Sequence, residues 1–133
     1  RQLANKKNIA INYLSSDSNE LLFNGDYQRI RQMIIIILDN AIKFSPNDKN
    51  ITITSENNEN YYNLEIYEQG KGISVENTEK IFDRFYKSQN DNNDGMGLGL
   101  SIAKQIAIRH NINLSVKSEV DIGTTFSLKF PKN

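Results

Sequence analysis

Apolar residues recur at helical spacing in two parts of the chain and alternate with polar residues in several others. The first helical pattern begins after Asp26, which suits an N-cap, and ends at Pro46, which cannot continue a helix. Its apolar stripe comprises Ile30, Met33, Ile34, Ile37, Leu38 and Ala41. The second pattern predicts a helix over Leu98–His110, and a short helix is expected over Val75–Phe85. The stripe of the second pattern comprises Leu98, Ile102, Ile106 and His110.

Short apolar or alternating runs predict strands before, between and after these helices. They are Ile9–Leu14, Glu20–Phe23, Ile51–Thr54, Leu64–Tyr67, Asn113–Ser118 and Thr124–Phe130. The polar tip Glu56–Asn60 predicts an antiparallel hairpin, and a turn at Asp121–Gly123 is expected to join the last two strands. The alternation of elements favours an α/β two-layer sandwich, in which helices stack on one face of a mixed sheet.

Composition narrows the function classes. The 133 residues include 16 Lys+Arg and 16 Asp+Glu, so no overall field attracts nucleic acid or an anionic membrane. Because there is no cysteine and only one histidine, disulfides and thiolate zinc sites are excluded and a histidine-rich metal site is disfavoured. The longest apolar run, Met33–Leu38, is far too short to span a bilayer.

No linker or internal repeat divides the chain, so residues 1–133 are expected to form one domain. The segment Arg1–Leu14 is polar and mixed and does not resemble a signal peptide. Since the chain begins without Met, in the middle of a pattern, we expect it to be the C-terminal part of a longer protein.

Neither glycine-rich segment fits the best-known nucleotide loops. After Gly70 and Lys71, a P-loop needs Ser or Thr where this chain has Gly72, and it needs glycine where this chain has Glu65. The segment DGMGLGLS at 94–101 lacks the third glycine of a dinucleotide fingerprint, and no strand leads directly into it. A P-loop and a Rossmann site are therefore excluded.

The second glycine segment leads into the N-terminus of the Leu98–His110 helix, where backbone N–H groups and the helix dipole attract anions. Two ordinary turns would explain the segments taken singly. Their occurrence together, with the polar stretch Lys87–Gly95 between them, favours a ligand site.

Asn40 and Lys43 add an amide oxygen suited to Mg²⁺ and a phosphate-binding cation on one flank of the long helix. A solvated helix edge would explain either residue by itself.

Four short segments together resemble the catalytic and ATP-binding domain of bacterial sensor histidine kinases, in the GHKL ATPase superfamily. In family order, DNAIKFSP resembles the N box, EQGKGI the first glycine box, IFDRFYK the F box and DGMGLGLSIAK the second glycine box. The closing segment GTTFSLKFP is also similar, so the resemblance covers nearly the whole chain. It implies the Bergerat fold, an α+β sandwich with a mixed, mostly antiparallel sheet of about five strands backed by three helices on one face.

The resemblance assigns residues to the metal and base ends of an ATP site. Asn40 would hold Mg²⁺ through its amide oxygen, Lys43 would approach the phosphates, and Phe44 would pack near the adenine. Glu68 stands where the family has a carboxylate that accepts a hydrogen bond from the adenine amino group. The other expected base contacts are Gly70, Gly72 and Ile73.

The phosphate end is assigned in the same way. Phe82 and Phe85 would fix the base of a lid, and Lys87 stands where the family usually has an Arg or Lys that reaches the terminal phosphate. Asn90–Asp94 have the composition of such a lid. Together with Asn40 and Lys43, Lys87 is an expected catalytic residue. The residues expected to wrap the triphosphate are Gly95, Met96, Gly97, Leu98, Gly99 and Leu100.

This chain departs from the family pattern at two positions. Glu68 replaces an Asp, which adds a methylene in a packed pocket, where overfilling costs roughly 1–3 kcal/mol. Ile36 stands one helical turn before Asn40, where the family often has another Asn, and removes a polar partner near the metal. Both departures predict measurable but modest ATP affinity.

The function implied is transfer of the γ-phosphoryl group of ATP to a histidine on a separate dimerisation domain of the same protein, with a response regulator downstream. The expected location is a cytoplasmic domain of a parent protein anchored in the bacterial cell membrane, without nucleic acid or direct membrane contact. His110 is expected to be structural and not a phosphoacceptor. Two alternatives stay open: a degenerate nucleotide-binding module with weak or no ATP use, and a serine kinase of the anti-sigma type.

Overall fold

A computed structural model of the chain describes residues 10–15, 26–46, 48–78, 80–83 and 98–132. Its elements in chain order are β1 (Ala10–Ser15), α1 (Tyr27–Phe44), β2 (Asn50–Asn57), β3 (Tyr61–Glu68), α2 (Val75–Thr78), α3 (Gly99–Arg109), β4 (Asn113–Glu119) and β5 (Gly123–Pro131). None of the helices in these ranges is both long enough and apolar enough to cross a membrane. The predicted strand Glu20–Phe23 and the stretch Lys87–Gly95 lie outside the described residues.

The five strands form one sheet in the order β1-β2-β3-β5-β4. β1 pairs parallel with β2, and the other three pairings are antiparallel. The predicted mixed, mostly antiparallel sheet is therefore confirmed. The predicted hairpin is also confirmed as β2 and β3, joined at 58–60, where the side chain of Asn58 accepts hydrogen bonds from the backbone N–H groups of Asn60 and Tyr61.

α1 begins and ends where the sequence predicts. The Asp26 carboxylate accepts hydrogen bonds from the N–H groups of Gln28 at 3.0 Å and Arg29 at 3.3 Å, so it is the N-cap. Ser45 is the C-cap, directly before Pro46. The fully buried face comprises Met33, Ile37, Ala41 and Ile42, and Ile30, Ile34 and Leu38 pack against it. Each large aliphatic side chain buried in this way contributes about 1.5–3 kcal/mol.

The buried face of α3 differs from the predicted stripe. Ile106 is buried as expected, but Ile102 is 36% exposed, and the other buried residues are Ala103 and Ala107. Two alanines allow α3 to lie close against α1, and this rotates Ile102 out of the contact. His110 joins the same two helices, since its Nε2 accepts the N–H of Asp26 at 3.1 Å and its Nδ1 lies 2.9 Å from the carbonyl oxygen of Ile106.

The prediction of a helix over Val75–Phe85 is wrong in length, because α2 spans only Val75–Thr78 and is followed by a turn. In this turn the N–H of Lys80 donates to the carbonyl of Asn77, three residues back. The turn brings Ile81 into the core at 5% exposure.

The core lies between the helices and one face of the sheet. Strand residues on that face, such as Ile66 and Phe126, are direct cross-strand partners and are buried. Their neighbours in sequence, such as Glu65 and Ser127, are partly exposed on the other face and hydrogen bond to each other at 3.0 Å. The predicted two-layer sandwich is therefore confirmed.

Candidate functional site

The C-terminal half of α1 contacts both glycine segments. A Cβ added to Gly99, at the start of α3, would lie 3.4 Å from Cγ2 of Ile36. A Cβ added to Gly70 would lie 2.6 Å from the carbonyl oxygen of Phe44. These contacts are eight residues apart, or about 12 Å along the helix. Asn40 lies midway between them, so α1 brings the two predicted ends of the site together.

Asn40 carries a buried amide oxygen, Oδ1, that accepts no hydrogen bond from the described residues. A buried oxygen in this state costs free energy unless a ligand, a water or an ion meets it. The described residues contain no cluster of three or more His, Asp or Glu that would hold a metal ion. A Mg²⁺ ion here would therefore combine the Asn40 oxygen with phosphate and water oxygens, an arrangement that suits this ion.

Ile36 lies one helical turn before Asn40 and has an apolar side chain. Its side chain packs against the core cluster and lies under the start of α3. Whether a polar partner of a metal is missing at this position stays a prediction. The contact also supports the N-terminus of α3.

At the end of α1, a cation and an aromatic ring lie together. Nζ of Lys43 is 5.0 Å from the centroid of the Phe44 ring, which is a cation–π distance. The Phe44 side chain is 45% exposed. An exposed ring with a cation beside it suits a planar, anionic ligand.

Glu68 ends β3 on the face of the sheet that the helices cover, and it is only 2% exposed. Its cross-strand partners are Ile51 on β2 and Thr124 on β5, and the partner of Thr124 on β4 is Ser118. Thr124 is 3% exposed. Thr124 thus places a hydroxyl group beside this buried carboxylate, and Ser118 places a second one behind Thr124.

Thr124 and Ser118 were not among the residues predicted from the sequence. Their alternation within β4 and β5 places them on the inner face, but only the register between strands that are distant in sequence brings them beside Glu68. The sequence signal for both is a polar residue at an inward-facing position of a strand, Ser118 in β4 and Thr124 in β5, where apolar residues are otherwise expected.

The first glycine segment is held by the turn between β4 and β5. The N–H of Asp121 donates to the carbonyl of Lys71 at 2.7 Å, and the N–H of Ile73 donates to Oγ of Ser118 at 2.6 Å. Gly72 has φ +75°, and a Cβ there would overlap the carbonyl oxygen of Glu119. The glycine is therefore required by backbone conformation and by close approach of another chain segment.

The N-cap residue of α3 makes no side-chain hydrogen bond to the helix. Leu98 occupies the N-cap position with a side chain that cannot accept a hydrogen bond, whereas its carbonyl oxygen accepts one from the Ser101 hydroxyl at 2.8 Å. The N-cap side chain therefore supplies no acceptor for the N–H groups of the first turn, and such groups can bind an anion. Of the predicted phosphate contacts, Leu98, Gly99 and Leu100 lie here. Phe85, Lys87, Gly95, Met96 and Gly97 lie outside the described residues.

Phe82 is partly buried and packs against the core. Its ring meets Phe126 edge to face, with centroids 6.3 Å apart, and Nζ of Lys104 lies 5.1 Å from its centroid. An open groove of about 440 Å³ adjoins it, but neither Asn40 nor Glu68 lines this groove. Because Leu98 also lines this groove, it adjoins the predicted phosphate end of the candidate site and not the parts of the site at Asn40 and Glu68.

Known proteins are similar to this chain in sequence and in fold. The sequence profile of the histidine kinase-, DNA gyrase B-, and HSP90-like ATPase family matches residues 25–133. The sensor histidine kinase YkoH of Bacillus subtilis (strain 168) is 41% identical over 120 residues, which are 88% of this chain and 26% of YkoH. This chain thus spans about a quarter of that relative.

Solved structures of histidine kinases have the same fold as this chain. The mycobacterial sensor histidine kinase MprB is 25% identical with a TM-score of 0.86, covering 98% of this chain and 88% of that one. The histidine kinase ThkA, in complex with the response regulator protein TrrA, is 26% identical with a TM-score of 0.81, covering 99% of this chain and 36% of that one. The chain therefore belongs to the family of histidine kinase-, DNA gyrase B- and HSP90-like ATPases, and the relatives it matches are sensor histidine kinases.

Proposed function

We propose that this chain is the ATP-binding catalytic domain of a sensor histidine kinase and presents the γ-phosphoryl group of ATP to a histidine on a separate dimerisation domain of the same protein. The observation that carries this proposal is the buried Oδ1 of Asn40, without a hydrogen-bond partner among the described residues and midway between two glycine segments. Phosphoryl transfer asks the protein mainly for positioning and charge neutralisation. A bound Mg²⁺ would supply part of that neutralisation.

The residues take separate roles along the site. Asn40 would hold the metal, and the uncapped start of α3 would bind the triphosphate with its backbone N–H groups. Lys43 would add positive charge, Phe44 would pack against the base, and the Glu68 carboxylate would accept a hydrogen bond from the amino group of the base. Gly70, Gly72 and Ile73 would line the base end.

The remaining roles rest on sequence resemblance alone. Lys87 would reach the terminal phosphate, and Phe85 would anchor the lid. The residues Gly95, Met96 and Gly97 would complete the wrap around the triphosphate with Leu98, Gly99 and Leu100.

The partners proposed follow from the relatives. ThkA has been solved in complex with the response regulator protein TrrA, and we infer that a response regulator is the downstream partner of this chain's parent protein. The parent protein would carry the dimerisation domain and a membrane anchor, with this domain in the cytoplasm. Relatives that are sensor histidine kinases favour this function over a serine kinase of the anti-sigma type.

Thermal unfolding with nucleotide tests ATP binding directly. A ligand that binds only the folded state at about 100 times its Kd stabilises it by about 2.7 kcal/mol. For a domain of this size, the melting temperature should rise by roughly 10 °C in millimolar ATP with Mg²⁺. Inorganic phosphate at the same concentration is the control and should cause a much smaller shift. Absence of any shift with ATP would favour the degenerate module.

Glu68→Asp is expected to tighten ATP binding about tenfold, because it withdraws a methylene from a pocket in which the Glu68 carboxylate lies against Gly70. Calorimetry with ATP and Mg²⁺ measures the change. The matched control is Glu65→Asp on the outer face of the same strand, which should leave ATP affinity unchanged. Equal or weaker binding by Glu68→Asp would show that Glu68 is no handicap.

A further inference from the structure

Ser118 on β4 contacts three backbone or side-chain groups at the proposed base end. Its Oγ accepts the N–H of Ile73 at 2.6 Å and donates to the carbonyl oxygen of Gly123 at 3.0 Å. It also lies 2.8 Å from Oγ1 of Thr124. One hydroxyl therefore joins the first glycine segment to the start of β5.

The directions of these hydrogen bonds follow from the chemistry of the groups. A hydroxyl has one proton to donate and two lone pairs to accept with. The Gly123 carbonyl can only accept, so it takes the Ser118 proton, and the Ile73 N–H can only donate. The Thr124 hydroxyl then donates its proton to the remaining lone pair of Ser118. This leaves the lone pairs of Thr124 Oγ1 as acceptors.

Thr124 in turn lies directly beside Glu68. Ser118, Thr124 and Glu68 are successive cross-strand partners on β4, β5 and β3, and all three point to the face that the helices cover. Thr124 and Glu68 are 3% and 2% exposed. Ser118 stands behind Thr124 in this row, so it would act on a bound base through its neighbours and not by direct contact.

We propose that Ser118 is a positioning residue for the base end of the nucleotide site. It fixes the backbone at Ile73, next to Gly72, and it fixes the orientation of the Thr124 hydroxyl beside the Glu68 carboxylate. This proposal rests on the proposed function and deepens it. Its consequence is that Ser118 determines affinity for the base and not for the phosphates, which would bind at the other end of the site.

Calorimetry with two ligands in the presence of Mg²⁺ tests this consequence. In Ser118→Ala, ATP affinity should fall about tenfold, because the Ile73 N–H and the Gly123 carbonyl lose a partner. Affinity for inorganic tripolyphosphate, which has no base, should stay within about twofold of the wild-type value. Ser118→Thr keeps the hydroxyl and should restore most of the ATP affinity. The matched control is Ser115→Ala, on the exposed face of the same strand, with wild-type affinity for both ligands.

Each other outcome overturns the proposal. Equal losses for ATP and tripolyphosphate would make Ser118 a general structural residue, and unchanged ATP affinity in Ser118→Ala would remove its role altogether. If Ser118→Ala does not fold, the affinities for ATP and tripolyphosphate are measured on Ser118→Cys, whose thiol is a weak hydrogen-bonding group. If the ratio of these two affinities in Ser118→Cys equals that of the wild type, the proposal is overturned. A wild-type chain that binds no ATP would overturn the proposed function as well, which distinguishes the two failures.

Discussion

Replacing Asn40 with alanine is expected to reduce autophosphorylation of the full-length parent protein by about 100-fold or more. The Oδ1 of Asn40 is buried, lies between the two glycine segments and accepts no hydrogen bond from the described residues. As the proposed metal ligand, it would position a cation that is worth several kcal/mol of transition-state stabilisation. Each 1.36 kcal/mol lost lowers the rate tenfold. The measurement is phosphoryl transfer from labelled ATP, with and without the substitution.

A second asparagine provides the control for this experiment. Oδ1 of Asn63 is also buried without a hydrogen-bond partner among the described residues, but Asn63 precedes the core residue Leu64 on β3 and faces the outer side of the sheet. Asn63→Ala should therefore leave phosphoryl transfer unchanged. If both Asn40→Ala and Asn63→Ala lose activity, the buried amide oxygen of Asn40 has a role in folding and not a specific role in phosphoryl transfer.

Binding measurements separate a metal role of Asn40 from a general one. In the presence of EDTA, wild-type protein and Asn40→Ala should bind ATP with similar affinity. Added Mg²⁺ should strengthen binding only in the wild type. Without nucleotide, the melting temperature of Asn40→Ala should not fall, because no hydrogen bond to Oδ1 from the described residues is lost. Retained Mg²⁺ dependence in Asn40→Ala would contradict the assignment.

Local sequence signals were sufficient for the elements that frame the site. The Asp26 cap, the Pro46 stop and the turn near Asn58 each act through neighbouring residues, and the structure has each of them. The first glycine segment is also a local signal, because no side chain fits the positive φ at Gly72 without strain. Such features need no knowledge of distant parts of the chain.

The remaining features depend on contacts between distant residues. Ile102 occupies a helical stripe that sequence favours for burial, yet α3 turns Ala103 and Ala107 towards α1. The row of Ser118, Thr124 and Glu68 depends on register across three strands. Because register is set by packing of the whole sheet, no local pattern indicates which polar residues will meet.

Gly72→Ala is expected to abolish detectable ATP binding and to lower the melting temperature by roughly 10 °C. A residue with a side chain pays about 1–2 kcal/mol in the left-handed conformation that Gly72 adopts at φ +75°. A Cβ there would also overlap the Glu119 carbonyl oxygen and lie 2.9 Å from Cα of Val120. Both neighbours are backbone atoms, so the turn between β4 and β5 has to move as a unit.

The displacement of the turn between β4 and β5 in Gly72→Ala would lower both the stability of the fold and its affinity for ATP. It would break the hydrogen bond from Asp121 to Lys71 and the one from Ile73 to Ser118, which hold the glycine segment in place. Gly99→Ala is the control for stability: its Cβ would lie 3.4 Å from Ile36, an ordinary contact, and the position is helical. Its melting temperature should match or exceed that of the wild type. If Gly72→Ala unfolds within about 2 °C of the wild type and still gains stability from ATP, the first glycine segment does not shape the site.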